Sequence, residues 1–341
     1  MLGSGRPGWG SVVFIGLVMA GCGGGAAQPT TVHVQPGHSS GDDLASLEQR
    51  CRGENDAPSC TAAGRRYDLG VGTRRNVTRA QELYALACEW GEGLACVHLL
   101  EAHVGIPLGT IDPTRSFQLA LGTCERGNQD ACAGVGFAFD EGVGVSEDSE
   151  VARQHFERSC EQGSARGCTG LAGLYIDGRG VDTDLPRALE LYTRACDGGD
   201  AWGCTELAIL YDRGEGVTRD YARAAQLNQQ ACDGGDPLAC GNLGSLYEDG
   251  SGVAQSFERA RGLYERACAA GDMAGCNNLG ALYGRGDGVE QDLDRARDLY
   301  QEACEGGEQY GCDNLDSLLR DLGEGESDGS AEQDFDQQED I

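Results

Sequence analysis

One stretch of the chain shows a pattern that recurs along most of it. Cys168, Leu171 and Tyr175 fall at i, i+3 and i+7, which places them on a single helical face. Leu185, Ala188, Leu189 and Tyr192 repeat the stripe in a second segment. Gly178 and Gly180 lie between the two, where positive backbone dihedrals would end the first helix and reverse the chain, and Val181 then returns to the core. The same order recurs as Leu207, Tyr211, Gly214, Gly216 and Val217, and again as Leu243, Tyr247, Gly250, Gly252 and Val253. It appears once more as Leu279, Tyr283, Gly286, Gly288 and Val289. The pattern predicts units of two amphipathic helices joined by a glycine turn.

The cysteines give the period. They fall at 88 and 96, 124 and 132, 160 and 168, 196 and 204, 232 and 240, 268 and 276, and 304 and 312, each pair beginning 36 residues after the last. An earlier pair, Cys51 and Cys60, keeps the phase at its second member and slips by one at its first. A repeat of this length built from two helices predicts an all-α fold, an α/α solenoid wound as a right-handed superhelix. The array is expected to run over residues 45–322 as seven helix pairs with a half unit at each end. One unit departs from the pattern, with Ile106-Pro107-Leu108 where the glycine turn should be and His103 where tyrosine usually stands.

The flanks lack this periodicity. Residues 1–21 read as a secretory signal, with Arg6 as the only charge and an apolar run from Val12 to Ala20 that is too short to span a membrane. Met19-Ala20-Gly21-Cys22 resembles a bacterial lipobox, which makes Cys22 the lipidation site. By the sorting rule of model Gram-negative bacteria, Gly23 then directs the protein to the outer membrane, facing the periplasm or the cell surface. Residues 22–44 are rich in Gly, Pro, Ser and Thr, as expected of a flexible tether. Residues 323–341 form an acidic, apolar-poor tail that is expected to be disordered.

Charge narrows the partners. The net charge is −30, and every one of the 26 basic residues is arginine. Such an acidic chain repels polyanions, so nucleic acid is not an expected partner. The absence of lysine removes Schiff bases, P-loops and the Ser-x-x-Lys nucleophile.

The 36-residue spacing and the L-x-x-L-Y, G-x-G-V, A-x-x-x-Y and A-C elements resemble the Sel1-like repeat family. The C-x7-C pairs resemble its cysteine-rich branch, typified by the secreted Helicobacter cysteine-rich proteins. In each pair the first cysteine closes the second helix of one unit and the second opens the next unit. A disulfide across Asp197-Gly198-Gly199-Asp200 or its equivalents would therefore fasten neighbouring units. The expected bridges join Cys51 to Cys60, Cys88 to Cys96, Cys124 to Cys132, Cys160 to Cys168, Cys196 to Cys204, Cys232 to Cys240, Cys268 to Cys276 and Cys304 to Cys312. Cys22 is the cysteine left over. Zinc and redox sites favour shorter spacings than C-x7-C, and an export signal favours disulfides.

Some cysteine-rich relatives carry penicillin-binding or β-lactamase labels, so a hydrolase acting on β-lactams or peptidoglycan fragments is the alternative reading. No catalytic residues are assigned to it. The five histidines, His33, His38, His98, His103 and His155, do not recur with the repeat. On one continuous helix His98 and His103 would point about 140° apart, a poor metal pair. No metal or cofactor is expected, and no C-x-x-C-H motif supports the haem-handling role linked to a mitochondrial relative. The resemblance implies an adaptor whose concave surface, lined by the first helices, binds a protein or peptide, with the chain itself monomeric. Asn242, Asn278 and Asn314 stand two residues after successive second cysteines and form a candidate ladder for an extended peptide backbone. Bonding within the array is the alternative use of these amides. Arg65-Arg66 and Arg74-Arg75 are candidate anion contacts or plain helix-surface charges.

Overall fold

The computed structural model describes residues 43–104 and 111–322, and among these every regular element is a helix. The signal segment, Cys22, the tether before Asp43, the Ile106-Pro107-Leu108 turn and the acidic tail lie outside the described residues. In chain order the helices are α1 (Leu44–Gly53), α2 (Ala57–Leu69), α3 (Val77–Glu89), α4 (Gly93–Glu101), α5 (Pro113–Glu125) and α6 (Gln129–Glu141). Next come α7 (Ser149–Glu161), α8 (Ala165–Asp177), α9 (Leu185–Asp197), α10 (Ala201–Arg213) and α11 (Tyr221–Asp233). The array closes with α12 (Pro237–Asp249), α13 (Phe257–Ala269), α14 (Met273–Arg285), α15 (Leu293–Glu305) and α16 (Gln309–Leu322). Seven helix pairs run from α2 to α15, with α1 and α16 as half units. The ordered array begins inside the expected tether, because Leu44 opens α1 and Asp43 accepts a bond from the Ser46 amide at 2.7 Å.

Local chemistry sets the ends. Each second helix from α3 to α15 starts on an Asn, Asp or Ser whose side chain accepts an amide of the first turn, as Asp184 does from Arg187 at 3.0 Å. First helices such as α8 stop on a left-handed glycine, Gly178 at φ 69°. Gly180 (φ 63°) is needed twice over, since a Cβ there would also lie 2.6 Å from the Ser149 carbonyl oxygen at the start of α7.

The buried faces differ in detail from the sequence pattern. On α9 the buried residues are Ala188, Leu191, Tyr192, Ala195 and Cys196, whereas Leu185 and Leu189 are half-buried. On α8 Leu174 is buried and Tyr175 only half so. Each helix is wedged between two neighbours, so its buried arc is wider than one stripe and is centred between them. In the second unit α4 stops at Glu101, and His103 bonds through Nε2 to Ser116 Oγ on α5 at 2.8 Å. His98 and His103 therefore do not share one helix.

All eight expected disulfides are formed, from Cys51–Cys60 to Cys304–Cys312, each joining a second helix to the next first helix. Closing a loop of this size stabilises by roughly 2.5 kcal/mol on the loop-entropy account. The array also curves back on itself. Arg65 on α2 donates from Nη2 to the Gly235 carbonyl between α11 and α12 at 3.0 Å, across 170 residues. Arg65 thus acts as a clasp between the first unit and a much later junction.

The concave hollow as candidate functional site

The curvature brings the first helices α2, α4, α6, α8, α10 and α12 around a hollow of about 670 Å³. One helical position, two residues before the second cysteine, supplies Leu94, Asp130, Arg166, Trp202 and Leu238 in successive units. The repeat keeps the backbone at this position constant while the side chain changes from unit to unit. That is the arrangement of a recognition surface on a fixed scaffold.

A polar chain crosses the hollow. The Arg166 guanidinium pairs with Glu101, lies 3.3 Å from Asp200 Oδ1 and stacks 4.4 Å above the Trp202 ring. Trp202 Nε1 donates to Glu206 Oε1 at 2.9 Å. On the other side, His98 Nδ1 meets Glu101 Oε2 at 3.0 Å, and the His98 ring lies 5.4 Å from that of Tyr84. Burial, reinforced by Arg65 and Arg166, pushes the His98 pKa down to about 3, so the ring is neutral and Nδ1–H donates to the carboxylate. Tyr84 Oη then lies 3.5 Å from Asp68 Oδ2. Burial raises the pKa of Asp68, and burial also raises those of Glu206 and Asp236.

The candidate asparagines sit elsewhere. Asn314 Nδ2 donates to Asn277 Oδ1 of the preceding unit at 2.8 Å, and Asn277 Nδ2 donates to Asn278 Oδ1 at 3.3 Å. Asn242 is half-buried, and none of the three is among the residues lining the hollow. Arg65 bonds the Gly235 carbonyl, while Arg75 donates to the Asp68 carbonyl at 2.8 Å. Sequence reasoning passed over Asp68, Leu94, Glu101, Arg166, Trp202 and Leu238. For Leu94, Arg166, Trp202 and Leu238 the signal was present as one position that changes from unit to unit while its neighbours keep the pattern, whereas Asp68 stands where Asp140, Asp212 and Glu248 repeat an acid.

An all-α array of disulfide-joined helix pairs with a lined concave face defines a two-helix solenoid. The Sel1 repeat matches residues 57–91, 129–164, 165–200, 203–236, 237–272 and 274–308, more than half of the chain, which therefore belongs to the Sel1 repeat family. The unmatched stretch holds α4 and α5, the unit without the glycine turn. Among solved structures, a protective antigen of uropathogenic Escherichia coli with an SLR fold is similar at 27% identity and TM-score 0.53. That match covers 83% of this chain and 60% of that one, so the chain spans less than two thirds of that relative. A Sel1 repeat protein from Oxalobacter formigenes is similar at 25% identity and TM-score 0.54, covering 68% of this chain and 92% of that one. Helicobacter pylori cysteine rich protein B shares 27% identity over 39% of this chain and 96% of its own, at TM-score 0.33. No curated protein matches the sequence.

Proposed function

We propose that this chain is an exported, lipid-anchored envelope protein that serves as a binding scaffold, holding a protein or peptide partner in its concave hollow. The observation that carries the reading is the hollow itself, where one repeat position presents Leu94, Asp130, Arg166, Trp202 and Leu238 from a stapled backbone. Eight disulfides belong to an oxidising, extracytoplasmic compartment. Among the described residues no helix is long and apolar enough to cross a membrane, and the attachment proposed from the sequence is the lipid on Cys22. Replacing Cys22 with serine is expected to move the protein from the membrane fraction to the soluble one.

Site-specific photo-crosslinking tests the scaffold reading. A photoreactive residue at Leu94 or Leu238 should join the oxidised protein to one or a few partners, and the same residue at exposed Glu190 on α9 should not. Equal crosslinking at all three sites would overturn the assignment of the concave face. Asn242, Asn278 and Asn314, outside the lining of the hollow, are proposed as secondary contacts; their joint replacement by alanine should lower partner affinity, and unchanged affinity would reject them. Nitrocefin turnover by the purified protein would instead favour the hydrolase alternative.

A further inference from the structure

The large apolar side chains left exposed are concentrated around the hollow. Among the described residues seven are substantially exposed, and Leu94 (41%), Val104 (44%) and Leu238 (44%) all line it. Val71 lines the adjoining cleft beneath the Arg65 clasp. Clustered exposed apolar surface marks a contact site, in contrast to apolar residues scattered singly.

The charges around these walls are unequal. Six carboxylates line the hollow against two guanidiniums. Both cations are engaged, Arg65 with the Gly235 carbonyl and Arg166 with Glu101, Asp200 and the Trp202 ring. Most of the carboxylates are engaged too. Asp130 accepts from Ser164 Oγ at 2.7 Å, and Glu141 pairs with Arg179 at 3.5 Å. Asp200 and Asp236 each accept a threonine hydroxyl, Thr169 and Thr205, and a backbone amide of their own helix. Asp68 differs. Its side chain accepts from the Tyr84 hydroxyl at 3.5 Å and feels the charges of Arg75 and Arg65, yet burial outweighs them and holds its pKa above the ordinary value. A further cation brought to this carboxylate would offset the remaining cost of its burial.

Resting on the scaffold reading, we infer that the hollow takes an apolar peptide segment bearing a lysine or arginine, with Asp68 receiving the cation and Leu94, Val104 and Leu238 walling the apolar side chains. The hollow is in the size range of pockets that enclose small ligands, which suits a short segment of chain. The acidic surround attracts such a segment from a distance and rejects acidic ones.

The test is fluorescence anisotropy on the full mature chain, disulfides intact, with three labelled peptides. All share alternating Leu, Val and Phe, and carry Arg, Gln or Glu at the positions between. The Arg peptide should bind about tenfold or more tightly than the Gln peptide, weaken as salt rises, and lose about tenfold on Asp68→Asn. The Glu peptide should not bind. Leu238→Ser should reduce binding of the Arg peptide further, with an unchanged circular dichroism spectrum showing that the fold survives. Equal binding of the Gln peptide, or no dependence on salt, overturns the choice of a cation and leaves a peptide-binding hollow. If no peptide binds while Leu94 still crosslinks a partner, this inference fails and the scaffold reading stands. Failure of both experiments removes both.

Discussion

Asp140, near the end of α6, has a wholly enclosed side chain, and its ion-pair partner Arg179 reaches it at 2.9 Å from the glycine turn of the next unit. Burial outweighs that pairing and pushes the Asp140 pKa up to about 7 from its ordinary 3.8. Between those values the folded chain holds a proton that the unfolded chain has lost. The stability linked to Asp140 is therefore present below about pH 4 and is lost as pH rises through 7. His98 has the opposite sign. Its folded pKa of about 3 lies below the ordinary 6.5, so its contribution is intact above 6.5 and is lost as pH falls toward 3. Asp140→Asn should accordingly gain thermal stability relative to the parent when pH is raised from 5 to 8. A difference in melting temperature that stays flat or falls over that range would reject the assignment.

At the scale of the element, the G-x-G turn is the most demanding piece of backbone. Gly180 combines a positive φ with a carbonyl 2.6 Å from where a Cβ would stand. Gly180→Ala should cost about 1–3 kcal/mol in urea unfolding with the disulfides intact. Gly122, whose Cβ would meet only the Arg126 side chain at 3.7 Å inside α5, is the control, and alanine there should be neutral or stabilising. Leu191 and Leu189 make a second comparison on α9. Leu191→Ala should cost about 2–5 kcal/mol and Leu189→Ala clearly less, because Leu191 is 2% exposed and Leu189 is half-buried. The alternation of helix and turn was legible because the period of 3.6 and the glycine positions are local properties. The choice between Leu189 and Leu191 was not, because it depends on which neighbours press on the helix.

Over the whole molecule, stability is distributed by junction, since each helix packs mainly on those next to it in the array. Replacing Cys196 and Cys204 together with serine should lower stability by roughly 2.5 kcal/mol, with faster amide exchange in α9 and α10 than at distant junctions. Uniform loss along the chain would contradict this nearest-neighbour picture. The Arg65–Gly235 contact reaches beyond this neighbour packing, across 170 residues. Arg65→Ala should increase the radius of gyration in small-angle scattering while leaving helix content unchanged. An unchanged radius would show that curvature within the junctions closes the hollow without the clasp.

The sequence by itself determined the unit, its period, the cysteine partners and the family. Each of these follows from residues close in the chain, such as the paired cysteines eight apart and the glycines two apart at each turn. The position that supplies Leu94, Arg166, Trp202 and Leu238 varies visibly along the repeat, but nothing in the chain alone shows that it faces a hollow. Only the tertiary structure decided that Asp68, Glu101, Arg166 and Trp202 share one hollow, or that α2 meets a junction 170 residues away. Those relations depend on small rotations between successive helix pairs. The rotations accumulate along the array and leave no mark at any single position in the chain.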